Sequence, residues 1–186
     1  MLVKSHYPVT FMDAELVGML KQTGAVKFGD FTLSSGRKSS YYVDKYIFET
    51  NPACLAAIGD RIAGLIPIGS QRLAGIEIGS IPLAAVASVK SGMPFVVVRK
   101  AQKGYGTNKL IEGAWNEGEK VFVVEDVVTT AKGALGAIRT LRDAGLVVED
   151  LVCVVDREEG GRENLEKEGI RVRSLVTSSE LLGYKP

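Results

Sequence analysis

Apolar positions in this chain follow two rhythms, and their alternation assigns the fold class. From position 51 onward, near-continuous runs of Val, Leu and Ile occur at 72–78 (RLAGIEI), 94–100 (PFVVVRK), 120–126 (KVFVVED), 147–156 (VVEDLVCVVD) and 171–177 (RVRSLVT). Between them lie segments with helical spacing: NPACLAAIGDRIAGLI at 51–66, IPLAAVASVKSG at 81–92, GALGAIRTLRDAG at 133–145 and GRENLEKEG at 161–169. Strands that are apolar on both faces and alternate with helices predict a mostly parallel sheet flanked by helices, an α/β fold. The front of the chain reads differently. Asp13 followed by AELVGMLKQTG predicts an N-capped helix stopped at Gly24, and 27–45 alternates like two strands joined by a tight Ser-Gly turn. This piece, about residues 1–45, is a small N-terminal hood which, with a C-terminal tail, completes a single domain spanning 1–186.

Composition narrows the function classes. With 46% hydrophobic and 24% charged residues, the chain resembles an ordinary globular protein of 186 residues. Lys and Arg (23) balance Asp and Glu (22), so nothing in the net charge of +1 draws it to nucleic acid or membrane. No apolar run approaches the roughly 20 residues that span a bilayer, and the first residues lack a signal core. The expectation is a cytoplasmic protein. Cys54 and Cys153 lie far apart in apolar contexts and read as buried small side chains rather than a disulfide.

Open parallel sheets bind ligands beyond the carboxyl ends of their strands, so chemistry is sought where each apolar run stops. The sharpest stop is VFVVEDVVTTAKG, in which a buried strand ends in Glu125 and Asp126, passes through Val127 and Val128, and meets Thr129, Thr130, Ala131, Lys132 and Gly133 at a helix start. Small residues, hydroxyls and a helix N-terminus form a phosphate cradle. The adjacent carboxylates suit sugar hydroxyls or a ligand-held Mg²⁺. The plainer alternative is a strand end followed by Thr residues capping the helix. A Walker loop and a dinucleotide loop are both absent.

The whole string resembles the phosphoribosyl pyrophosphate (PRPP) motif of the type I phosphoribosyltransferases. That resemblance implies that the acidic pair contacts the ribose hydroxyls, with Asp126 catalytic, and that 127–133 hold the 5-phosphate. Ala131 stands where the family usually has Gly, and Gly133 where Ser or Thr is common. Further segments resemble the orotate phosphoribosyltransferases within that family. FVVVRKAQKGYGTNKLIEG sets Arg99, Lys100, Lys103 and Tyr105 past a strand on a Gly-pivoted loop, suited to a diphosphate leaving group. By resemblance Lys103 is catalytic, and Tyr105 replaces the usual His.

FGDFTLSSGRKSSYYVD resembles the hood segment that covers the pyrimidine, with Ser34 where bacterial members often carry Lys; Tyr41 and Tyr42 also read as ordinary hairpin aromatics. In VCVVDREEGG, Arg157 offers the fork that planar carboxylates need, and the resemblance makes it an orotate ligand together with Thr129. GIEIGSIPLA resembles the diphosphate loop, with backbone amides of Ile78, Gly79 and Ser80; some bacterial relatives have a Lys near Gly79.

The implied enzyme is an Mg²⁺-dependent pentosyltransferase joining PRPP and orotate, with Mg²⁺ held mainly by PRPP rather than by protein ligands. The resemblance also implies a homodimer with shared active sites. Two alternatives remain at this point: a transferase for another base, and a PRPP-sensing regulator without turnover. Near-neutral charge, the absence of a helix-turn-helix extension and the retained Lys103 weigh against the regulator.

Overall fold

The computed structural model describes residues 13–32, 36, 38–100 and 109–183. Helix α1 (Ala14–Gln22) starts where Asp13 accepts the Leu16 amide hydrogen bond at 2.9 Å. The hood follows as an antiparallel pair, β1 (Val26–Thr32) and β2 (Lys38–Val43). It closes when the Asp44 amide donates to the Ala25 carbonyl at 2.7 Å. The second hood strand therefore stops at Val43, short of the expected Lys45, and Lys45–Glu49 instead forms a five-residue helix, α2.

The body comprises α3 (Pro52–Leu65), β3 (Arg72–Ile76), α4 (Ser80–Ser91), β4 (Phe95–Val98), β5 (Ile111–Glu112), β6 (Lys120–Val128), α5 (Lys132–Asp143), β7 (Val147–Asp156), α6 (Gly161–Lys167) and β8 (Arg171–Thr177). A last helix, α7 (Ser178–Leu182), is opened by a capping box in which Thr177 and Glu180 satisfy each other's backbone amides. The six-stranded sheet has the order β5-β4-β3-β6-β7-β8, all parallel except the two-residue edge strand β5.

Alternation along the central strands divides the core. Phe122 and Val124 of β6, with Val152 and Val154 of β7, face α1, α3 and α4; Val121, Val123, Leu151 and Cys153 face α5 and α6. Both cysteines are free and buried, as their apolar contexts predict. Trp115 packs against the second cluster, which fits a structural role.

Strand order locates the crevice. After β3 the chain adds β4 on one side of it, then returns to lay β6 on the other, so β3 and β6 diverge at a topological switch point. The carboxyl ends of these two strands carry the 77–80 loop and the acidic pair.

Candidate active site

At that switch point β6 continues past the expected end. It pairs with β7 as far as Val128 opposite Asp156, so Glu125 and Asp126 lie inside the strand rather than at its last two positions. Asp126 follows the alternation of Phe122 and Val124 and is only 4% exposed. Its Oδ2 accepts from Lys45 Nζ at 2.6 Å, and its Oδ1 from the Val127 amide at 2.6 Å. Glu125 accepts from the Ser80 hydroxyl at 3.3 Å.

The next residues form a loop braced from behind. Val128 accepts from the Arg157 amide at 2.9 Å, and Asn164 Nδ2 donates to the Thr130 carbonyl at 3.2 Å. Gly161 lies so close that a Cβ there would meet the Thr129 carbonyl at 2.5 Å. Ala131 takes a left-handed conformation (φ 62°), which explains the family's usual glycine at this position and costs alanine about 1 kcal/mol. No side chain caps α5, so the simple reading of Thr129 and Thr130 as caps fails and the first amides stay available to an anion. Lys132 and Gly133 are exposed at the same helix start.

Across the crevice, the loop after β3 contains a cis peptide between Glu77 and Ile78 and leads through Gly79 to Ser80, the first residue of α4. Ile78 is 59% exposed, whereas Ser80 is buried. Gly79 is held against the acidic strand: a Cβ would meet Asp126 Oδ2 at 2.2 Å and Glu49 Oε1 at 2.6 Å. At the end of β4, Arg99 leans on Glu112 (3.6 Å) and Glu77 (4.0 Å), and the Lys100 amide donates to Glu77 at 3.0 Å. Lys103 and Tyr105 lie outside the described residues, as does Ser34.

The hood covers the opposite end. Arg157, 6% exposed, places its guanidinium carbon 4.3 Å from the centroid of the Tyr41 ring, reaches Ser39 Oγ at 3.4 Å and pairs with Glu159 at 2.8 Å. Tyr42, on the other face of β2, tilts against Phe31 at 5.6 Å and is a hairpin aromatic. Tyr42 thus fits the hairpin reading, while Tyr41 lies against Arg157. Asp156, the carboxylate before Arg157, is occupied by Arg162 at 3.0 Å.

Among the described residues, four buried side-chain polar atoms lack a partner, and three surround this crevice: Glu49 Oε1, Arg99 Nε and Arg157 Nε. Buried polar groups are normally satisfied, so three orphans gathered at one crevice single it out as the candidate ligand site.

Sequence reasoning missed Lys45 and Glu49. The K-x-x-x-E spacing, which puts both side chains on one face of a helix, was the available signal, but five residues give too little periodicity to reveal a helix.

The cluster is electrostatically loaded. Burial pushes the Glu49 carboxyl up from 4.5 to about 7, and the Asp126 charge adds to this against the pull of Lys45. Burial also raises Glu125, again reinforced by Asp126. For Lys45, desolvation would lower the amine, but its hydrogen bond to Asp126, together with Glu49 and Glu125, outweighs burial and holds it above the ordinary lysine value.

An acid whose folded pKa is raised costs nothing below its unfolded value. The cost from Glu49 therefore grows as pH rises from 4.5 to about 7 and is complete above that. Glu49→Gln is expected to stabilise the protein at pH 8 by about 1–3 kcal/mol and by much less at pH 5. Urea unfolding at the two pH values checks this, and an equal gain at both would contradict a raised Glu49.

No family model matches the chain. An orotate phosphoribosyltransferase of Methanocella arvoryzae is 85% identical over 175 residues, covering 94% of this chain and 100% of that protein. The crystal structure of orotate phosphoribosyltransferase from Aeropyrum pernix is similar at a TM-score of 0.82 and 34% identity, covering 90% of this chain and 96% of that one. The Mycobacterium tuberculosis orotate phosphoribosyltransferase in complex with 5-phospho-alpha-D-ribosyl 1-diphosphate is similar at 0.72 and 34%, covering 90% and 97%. Identity at this level over nearly the whole length agrees with the crevice geometry, and the chain belongs to the orotate phosphoribosyltransferase family.

Proposed function

We propose that this chain transfers ribose 5-phosphate from PRPP to orotate, giving orotidine 5′-phosphate and diphosphate in pyrimidine biosynthesis. The observation that carries the reading is the convergence on one crevice of an acidic strand end, an uncapped helix start and a buried arginine with an unpartnered Nε. In this reading the amides of 129–133 hold the 5-phosphate, and Glu125 and Asp126 accept from the ribose hydroxyls. Ile78, Gly79 and Ser80 offer their backbone to the diphosphate, which Arg99, Lys100, Lys103 and Tyr105 help neutralise.

Orotate lies under Tyr41 with its carboxylate on Arg157 and beside Thr129. Loss of diphosphate leaves an oxocarbenium-like ribose, so catalysis consists of stabilising the leaving group's charge and positioning orotate N1. Orotate N1 gives up its N–H proton as the bond to C1 forms, and the departing diphosphate is basic enough to take it, so no general base from the protein is required.

Mg²⁺ fits as a companion of the substrate. Asp126 is already engaged by Lys45 and the Val127 amide, and Glu125 by Ser80, so this donor set suits a cation carried in on PRPP oxygens. Bound there, the metal would offset diphosphate charge. The proposal extends to a single-domain cytoplasmic enzyme acting as a homodimer with shared sites. Turnover with orotate, and none with uracil, adenine or hypoxanthine, tests the substrate assignment. Mixing inactive Lys103→Ala and Asp126→Asn subunits tests sharing: a heterodimer confines both lesions to one site, so about a quarter of the activity returns. No recovery, with exchange confirmed, rules out shared sites.

A further inference from the structure

Between Arg72 and Lys90 the chain contains no basic residue. The loop after β3 thus brings backbone amides and the Ser80 hydroxyl to a diphosphate, but no charge of its own. A lysine from elsewhere is nevertheless packed where that charge is needed. Lys45, the first residue of α2, reaches 81 positions along the chain to put Nζ 2.6 Å from Asp126 Oδ2, with its side chain only 23% exposed.

That same oxygen is the one a Cβ at position 79 would strike at 2.2 Å. Glycine at 79 therefore leaves room for a side chain arriving from α2 where a residue of the loop would otherwise stand. Glu49, one turn along α2 on the same face, lies beside Gly79 with one oxygen unpartnered. The start of α2 is in turn fixed to the hood by the Lys27–Asp44 ion pair at 2.7 Å.

We propose that Lys45 is a substrate-contacting cation of the transferase site, neutralising Asp126 in the free protein and passing to the diphosphate of PRPP when the ribose hydroxyls take over that carboxylate. This rests on the PRPP-dependent activity proposed above. The exchange is chemically balanced, because hydroxyl donors replace the ammonium on Asp126 while the ammonium gains phosphate oxygens. Lysine suits the transfer, since its charge is a point on a flexible stem whose donors rotate freely. Three carboxylates, Asp126, Glu49 and Glu125, keep the amine protonated until substrate arrives. The leaving group gains negative charge as the C1–O bond breaks, so a cation placed there lowers the barrier more than it strengthens ground-state binding.

The test uses the full chain with Lys45→Met, which keeps the stem without its charge, and Lys45→Arg. Lys45→Met is expected to lower kcat on the order of 10²-fold and to weaken equilibrium binding of magnesium diphosphate about tenfold, while KM for orotate changes by less than about threefold. Lys45→Arg should recover at least about tenfold of the lost rate, because it restores charge.

Rates and diphosphate affinity within about threefold of the parent would overturn the proposal. So would equal losses for orotate and diphosphate accompanied by a lower unfolding midpoint, which would mean that Lys45 only anchors α2. If the parent binds diphosphate but does not turn over orotate, the substrate reading fails, and the diphosphate comparison between parent and Lys45→Met still decides the role of Lys45.

Discussion

Asp126→Asn is expected to reduce kcat by about 10²–10³-fold while the protein stays folded. The reason lies in what the carboxylate faces. Asp126 sits at the carboxyl end of the central strand β6 and continues the face occupied by Phe122 and Val124, but it ends among polar groups: Lys45, the Val127 amide, Gly79 and Glu49. An amide keeps the shape and loses the charge that would accept strongly from ribose hydroxyls and offset positive charge developing on the sugar.

Removing one member of a buried ion pair is ordinarily destabilising by about 3–5 kcal/mol, because its partner is left uncompensated. Here the partner is not stranded. Lys45 retains Glu49 and Glu125, and both of those carboxyls are pushed upward by the Asp126 charge, so the substitution relieves them as it deprives the lysine. Unfolding should therefore shift far less than the rate. Circular dichroism melts and steady-state rates on the same preparation provide the check, and a variant with near-normal turnover would remove Asp126 from the reaction.

The body of this fold was legible because its strands are long and buried on both faces. Runs such as 120–126 and 147–156 admit few other arrangements, and the helices between them are long enough to show their period. Strand ends were less legible. β6 runs two residues beyond the expected stop because the ladder to β7 continues to Asp156, a property of the partner strand that local composition does not carry. The acidic pair, the uncapped helix start at 129–133 and Arg157 were readable because each stands directly after an apolar run.

Lys45, Glu49, Ser39 and Glu159 were not, since their roles arise from contacts that only tertiary structure creates. Lys45 meets Asp126 across 81 residues, and Ser39 meets Arg157 across 118. α7 was missed for a different reason. Its capping box at 177–180 was readable, but five residues give no periodicity to confirm a helix.

Arg157→Gln is expected to raise KM for orotate by about 10–100-fold and to leave KM for PRPP within about threefold, since a charge-assisted hydrogen bond contributes roughly 1.5–3 kcal/mol and only orotate presents a carboxylate there. Two features of the structure sharpen the expectation. The guanidinium is prearranged: it stacks on Tyr41, touches Ser39 and keeps Nε buried without a partner, a donor awaiting an acceptor.

It is also contested, because Glu159 already holds one nitrogen at 2.8 Å, and an incoming carboxylate must share or displace that contact. Once Arg157 is lost, the Glu159 charge faces the substrate carboxylate with less compensation, so repulsion adds to the missing hydrogen bonds. Glutamine is the better probe than alanine: a 6% exposed arginine truncated to a methyl would leave a cavity under the hood and confuse binding with folding.

Arg157→Lys separates charge from geometry. It keeps the positive charge but loses the planar fork and most of the stacking, so it should recover only part of the orotate affinity. Initial rates with each substrate varied in turn decide the matter, and comparable losses for orotate and PRPP would show that the Arg157 side chain holds the hood in place through Tyr41 and Ser39 rather than binding the base.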